Sequence, residues 1–363
     1  MRSFLSSLLM ISGLVLMGAE ARADFTADPH QSMRELYQGA RAMAMGNAFV
    51  SVADDEEALF YNPAGLAGIE SSTFQYFNTD LEISGDIVDA TKSSYDQFKD
   101  LSGDSLNILM GKNVYLHGNY VPSYVTKNFG LAVLFDQQLS LISQNKSLPQ
   151  VEMGYQTTNG IQLGYGFGLD RGRKSQSDLR FGFGFKYLFR RGGYYTLTQK
   201  QIVNIDQDEL KKIVGGFGSG MGFDLGTQYI YRVSSRLRLQ AGAAWTEIGG
   251  VSFGNDTAEP LPGNLSAGLS VHYEFAHMAA TLAYDMRHIN QSVDSRLRNH
   301  FGAEFSIPLF HVYAGLNQIY PTFGLGFDLG LVQLLAVTYA QEMSSMAKIN
   351  PERRYLLHIG MGF

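Results

Sequence analysis

From residue 71 almost to the end, apolar side chains recur at every second position, the period of strands with one apolar face. Phe181, Phe183, Phe185 and Tyr187 share one face, while Gly182, Gly184 and Lys186 take the other. Leu265, Ala267, Leu269, Val271, Tyr273 and Phe275 likewise oppose Ser266, Gly268, Ser270, His272 and Glu274. The pattern predicts strands over 71–84, 113–125, 128–143, 149–169, 178–198, 216–232, 235–249, 263–275, 277–288, 297–307, 309–317, 320–329, 331–343 and 353–363. Connections after odd strands are mostly long (85–112, 199–215, 250–262, 289–296, 344–352). Those after even strands are mostly tight, as at Thr126-Lys127, Val233-Ser234, Ala276 and Pro308, with 170–177 the exception.

Alternation alone also fits a soluble sandwich. Two features favour a barrel in lipid: an apolar face heavy in aromatics, and an opposite face of glycine and serine without a Lys/Glu coat. Strands of this length suit a tilted membrane crossing, and a sheet in hydrocarbon must close to leave no unpaired edge. Fourteen is an even count, and long loops opposite tight turns is the outer-membrane pattern, with the long side extracellular. The expected fold is therefore all-β, a transmembrane antiparallel β-barrel of about 14 strands. Its last strand alternates Tyr355, Leu357, Ile359 and Met361 down to a terminal Phe363, and resembles the signal read by barrel-assembly machinery. Two loops carry helical apolar spacing, Ile87 to Met110 and Asp206 to Val214. They suit either packing on the rim or collection of a ligand.

Composition changes the picture little. Forty glycines, 24 Phe and 20 Tyr against one Trp among 363 residues suit short turns and aromatic girdles. The net charge of -6 gives no reason to expect nucleic acid as a partner. The absence of cysteine removes disulfides and thiolate metal sites. Residues 1–23 read as an export signal cleaved after Ala23: Arg2, an apolar run from Phe4 to Met17, then Ala21-Arg22-Ala23. A membrane anchor is the other reading, but the run is short for a span.

Between that signal and the first strand lies a segment of different texture, 24–70, expected to form a plug ahead of the barrel at 71–363. Its core, Gly39 to Ala67, is dense in small residues, carries carboxylates at Asp54, Asp55, Glu56 and Glu57, and ends Tyr61-Asn62-Pro63-Ala64-Gly65. Pro63 can stop a helix, and the Asn62 side chain can bond its own backbone as in turns. The run Gly39-Ala40-Arg41-Ala42-Met43-Ala44-Met45-Gly46, with Ala48-Phe49-Val50, Ala53-Asp54-Asp55 and Asn62-Pro63-Ala64-Gly65, resembles the N-terminal segment of the FadL/TodX family of outer-membrane transporters. It also looks like that of PorV-type proteins, several of which serve secretion. The resemblance implies a hatch folded inside a fourteen-stranded barrel, outer-membrane location and lipid surroundings. It also implies passage of small hydrophobic molecules or, on the second likeness, docking of secreted proteins.

The lumen parity of the strands places Lys186, Asp224, Arg238, Glu274, Asp285, Arg287, Glu304 and Asp328 inside. The four carboxylates of the hatch need cations or water, and Lys186, Arg238, Arg287 and the hatch's own Arg41 are the candidate cations. A polar lumen that merely solvates and anchors the plug is the plainer reading of these charges. No cofactor is expected, and the eight histidines show no metal-ligand spacing. Ser270 near His272 is the one pair worth checking for catalysis, and it lacks an evident third member. The chain is expected not to be an enzyme.

Overall fold

The computed structural model describes residues 35–94, 113–144, 150–169, 176–198, 215–254 and 257–363. The export signal, the 206–214 helix and the later part of the 87–110 loop lie outside these residues. The remaining sequence makes a single antiparallel sheet of fifteen strands, which the first and last strands close into a barrel. In chain order they begin with β1 (Thr73–Ser84), β2 (Asn113–Tyr120), β3 (Ser123–Thr126), β4 (Phe129–Gln144) and β5 (Gln150–Gly168). There follow β6 (Ser177–Thr198), β7 (Gly218–Arg232), β8 (Leu237–Thr246), β9 (Asn264–Glu274) and β10 (Ala279–Met286). The last five are β11 (Asn299–Ile307), β12 (Phe310–Asn317), β13 (Tyr320–Asp328), β14 (Val332–Glu342) and β15 (Pro351–Gly362).

β2 and β3 both pair with β1 on one side and β4 on the other, so they are two halves of one stave. The barrel therefore has fourteen staves, with the stave expected over 113–125 interrupted at Val121-Pro122. Proline has no N–H to give a ladder. The break is still partly bonded: Val121 N donates to Asn78 O (2.8 Å) and Val133 N to Pro122 O (3.0 Å). A bulge lies beside it, where the β1–β15 register shifts between Gln75 and Phe77. The Tyr120 hydroxyl donates to the carbonyl of the bulged Tyr76 at 2.8 Å.

Side chains sort by parity. Outward positions are large and apolar, with Phe183, Leu269, Leu282 and Phe323 each more than half exposed. A row of this kind around a closed sheet is a lipid-facing belt. Inward positions are glycine, polar or charged, among them the fully buried Lys186, Arg190 and Arg354. Stave height is uneven: β6 has 22 residues and β10 and β12 have 8 each, so β4 to β7 rise above the rest. Phe363 closes the cylinder, exchanging backbone bonds with Phe74 (2.8 and 3.1 Å) and packing edge-on against its ring. Tyr355 points outward from β15.

The described part of the N-terminal segment is inside the cylinder. It forms α1 (Ala40–Ala44), α2 (Ala58–Tyr61) and a 3-10 turn over Pro63–Gly68. These helices are too short to be stable alone. They are held because Met43, Met45, Phe49, Leu59 and Leu66 are fully buried against lumen-facing residues such as Val125, Ala132 and Leu134. A further helix, α3 (Gly85–Ser94), follows β1 where part of the first long loop was expected to be helical.

Candidate functional site

The hatch is fixed by strand-borne groups that satisfy its backbone. Asp285 Oδ2 accepts from Phe49 N (2.6 Å) and Val50 N (2.7 Å). Gln162 donates to Leu59 O (2.8 Å), Gln228 to Ala53 O (3.1 Å) and Thr322 to Met43 O (2.9 Å). His300 meets Gly46 O at 2.9 Å. A buried loop without such partners would leave costly orphan groups. Gln162, Gln228, His300 and Thr322 were absent from the sequence-derived candidates. Their lumen parity was visible, but nothing local marks which polar lumen residues meet the hatch.

Asn62 turns the chain back. Its Oδ1 accepts from Ala64 N (3.2 Å), and its Nδ2 donates to Val50 O (2.8 Å) and Thr227 O (3.1 Å), tying the middle of the hatch and the Asn62 turn to β7. Pro63 follows the end of α2 and opens the 3-10 turn. Gly65 sits under Ala53, whose carbonyl leaves no room for a side chain. The inward glycines of the wall have the same cause. A β-carbon on Gly166 would fall 2.7 Å from Ala67 N, and one on Gly242 would fall 2.6 Å from Val50 O. Gly182 and Gly226 lie equally tight under Ala64 and Asn62. The glycine face is therefore a bed for the hatch backbone.

The charges pair differently from expectation. Among the strand cations, Lys186 is buried with Asp224 (3.0 Å) and Glu247, and Arg238 pairs with Glu274 (3.1 Å). Arg287 meets Glu35 (3.2 Å) and Asn47, and lies over the Tyr61 ring. None of the three reaches Asp54 to Glu57. The lumen parity ranks positions by face, and carries no cross-barrel distances. Among the described cations Arg41 alone meets that run, bonding Asp54 (2.6 Å), Asp55 (2.7 Å) and, across to β11, Glu304 (2.9 Å). One guanidinium cannot neutralise three carboxylates; burial, with Asp54 and Glu56 alongside, pushes Asp55 up to about 7. Glu57 caps α1 through Arg41 N (3.0 Å) and Ala42 N (3.1 Å), and burial raises its carboxyl well above the usual range. Gly39, at the N-cap of α1, is pressed against the Glu57 carboxylate, and Gly46 takes a positive φ of 64° to turn off α1. Asp328 accepts from Gly330 N at 2.8 Å in the turn after β13.

Ser270 and His272 do not meet. The first donates to Gln240 (3.3 Å) and the second bonds Thr281 (2.9 Å).

A second cluster seals the wall opposite the glycine bed. His117 bridges Glu82 (2.9 Å) and Asp136 (2.6 Å), Tyr339 bonds Glu82, and Arg354 lies 3.5 Å over the Tyr115 ring. The interrupted stave itself supplies Tyr115 and His117 to this cluster. Behind it, on the lumen side, Val121 and Val125 join Ile69 and Leu66 of the hatch in one apolar core. In front, on the lipid side, Tyr120 packs with Phe77 (5.9 Å) and Phe135 (6.0 Å).

The geometry is that of a membrane-spanning barrel with an occupied lumen. No protein-family model and no curated protein sequence matches the chain. Among solved structures it is similar to hydrocarbon-channel barrels. The CymD monoaromatic hydrocarbon channel is 12% identical, with 89% of this chain and 96% of that one covered and a TM-score of 0.47. A deletion mutant of the TodX monoaromatic hydrocarbon channel is 12% identical, with coverage of 90% and 98% and a TM-score of 0.48. The Ralstonia pickettii toluene transporter TbuX is 11% identical, with coverage of 90% and 97% and a TM-score of 0.45. The architecture described above rests on this chain's own strand pairing.

Proposed function

We propose that this protein carries small hydrophobic molecules inward across the outer membrane, with the hatch closing the lumen and the interrupted stave serving as the way past it. The observation that carries this reading is the break at Val121-Pro122. It is the one place described where a weakened ladder separates a lipid-facing aromatic cluster from an apolar core formed with the hatch. The mouth at the tight-turn end suits such cargo poorly, because carboxylates, histidines and Arg41 line it. Hydrocarbon gains nothing by entering a charged passage, whereas sideways transfer keeps it in apolar surroundings.

The chain has no cysteine, so a pair introduced as Asn78→Cys and Val121→Cys would form a single reversible clamp across the break. Uptake of radiolabelled toluene or a fatty acid should fall to the level of a deletion strain when the pair is oxidised and return on reduction. Equal uptake in both states would overturn the route, and equal uptake in the deletion strain would overturn the function.

A second reading is an accessory barrel that docks exported proteins. What favours it is the tightly filled wall cluster of Tyr115, Tyr339 and Arg354, all fully buried, as expected of a lumen that stays shut. Recovery of secreted proteins on the tagged barrel, with no change in hydrocarbon uptake, would establish that reading.

A further inference from the structure

At the tight-turn end, below the hatch, lies an open cavity of about 390 Å³. Among the described residues five carboxylates line it, those of Asp55, Glu56, Glu57, Glu304 and Asp328, against one arginine, Arg41. Arg41 is already shared among Asp54, Asp55 and Glu304, burial holds Asp55 and Glu57 toward their protonated forms, and Glu56 and Asp328 are left without a cation among the described residues.

An excess of carboxylates alone would mark only a solvated mouth. A separate observation points to a ligand. Asn78, on the β1 wall of the same cavity, is 2% exposed and its Oδ1 has no hydrogen-bond partner among the described residues. A buried carbonyl oxygen left unpaired costs about 1–3 kcal/mol, so a donor is wanted there. The remaining walls include the rings of Tyr37 and Tyr313, with apolar surface at Leu335. Three histidines also line the cavity, and each has its own partner: His272 with Thr281, His311 with Ser306 and His358 with Asp80.

We propose that this vestibule binds a small linear amine, one ammonium held among the carboxylates of the hatch and of β11 and its methylenes lying on the tyrosine rings. The chemistry fits the parts: an ammonium offers three donors and no acceptor, and the cavity offers acceptors in excess of donors. The occupant would bridge hatch and wall, since Glu56 and Asp55 belong to the one and Glu304, Asp328 and Asn78 to the other.

The test is calorimetric titration of the full-length barrel, folded in detergent, with 1,5-diaminopentane, and with 1,5-pentanediol as the uncharged counterpart. The diamine should bind saturably at one site and more weakly as salt is added, while the diol gives no binding heat. Glu56→Gln should weaken the diamine roughly tenfold, the scale of one charge-assisted contact. Gel mobility without boiling reports whether that variant is folded. Asn78→Leu, which removes the unpaired acceptor by a different route, should act in the same direction. Absence of diamine binding, binding unchanged in both variants, or a tetralysine peptide binding more tightly than the diamine would overturn the proposal. None of these readouts uses transport, so the result stands apart from the uptake assay.

Discussion

Asn62 Oδ1 lies directly over the α-carbon of Gly226, in the space a β-carbon would occupy, with Pro63 Cδ 3.0 Å from the same point. The hatch thus reaches the wall through a position only glycine can fill. Gly226→Ala or Gly182→Ala should lift the Asn62–Ala64 turn and cost about 1–3 kcal/mol each, the usual range for overpacking. Gly118→Ala, where the nearest side-chain atom is an ordinary 3.6 Å away, should be close to neutral. Protease susceptibility of the hatch in detergent checks the order.

Asp285 makes a different kind of attachment, holding two consecutive amides of the hatch. Asp285→Ala should release Phe49 and Val50 and destabilise docking by about 2 kcal/mol, the scale of hydrogen bonds to a charged acceptor less the relief of a buried charge. Amide exchange at those two residues should then quicken roughly thirtyfold. Exchange unchanged at both amides would remove Asp285 from this role.

Lys186 is fully buried between Asp224 and Glu247. Lys186→Met leaves two carboxylates without their cation and should cost about 3–5 kcal/mol. Lys186→Met combined with Asp224→Asn should recover part of that loss. The temperature at which the folded band disappears from unboiled gels measures both.

The hatch should also respond to pH. Asp55, raised from an ordinary 3.8 to about 7, binds a proton more readily docked than free. Below 3.8 both states carry the proton and its contribution to docking is fully present; as pH rises from there through 7 only the docked state carries it, so docking weakens across that range and levels off above it. Asp55→Asn should flatten that slope. Melting temperatures of the two proteins between pH 5 and 8 provide the comparison.

The fourteen staves were legible because lipid on one side and lumen on the other impose a strict period of two. The expected and observed ends of β4 and β12 differ by a single residue. The break at Val121-Pro122 had one sequence signal, the proline, which the apolar alternation running through 113–125 masked until pairing with β1 and β4 exposed it. The hatch could be recognised from its small residues and from Asn62-Pro63-Ala64-Gly65. Its bonding could not, because Arg41 to Glu304 and Asp285 to Val50 join residues more than 230 positions apart. Local pattern gives faces, and cross-lumen distance gives partners.

The closure of β1 on β15 constrains the order of assembly. β1 follows the hatch directly, and its free edge is satisfied only by β15, the last of the barrel strands in chain order. Until that final seam forms, the cylinder is an open sheet with the hatch at its margin. Once it forms, a segment bonded to β5, β7, β10, β11 and β13 has little room to enter from either end. The hatch therefore acts as a mandrel around which the sheet is wrapped. A variant that weakens its docking should show first as slow or failed barrel closure in the cell, before any change in the finished barrel.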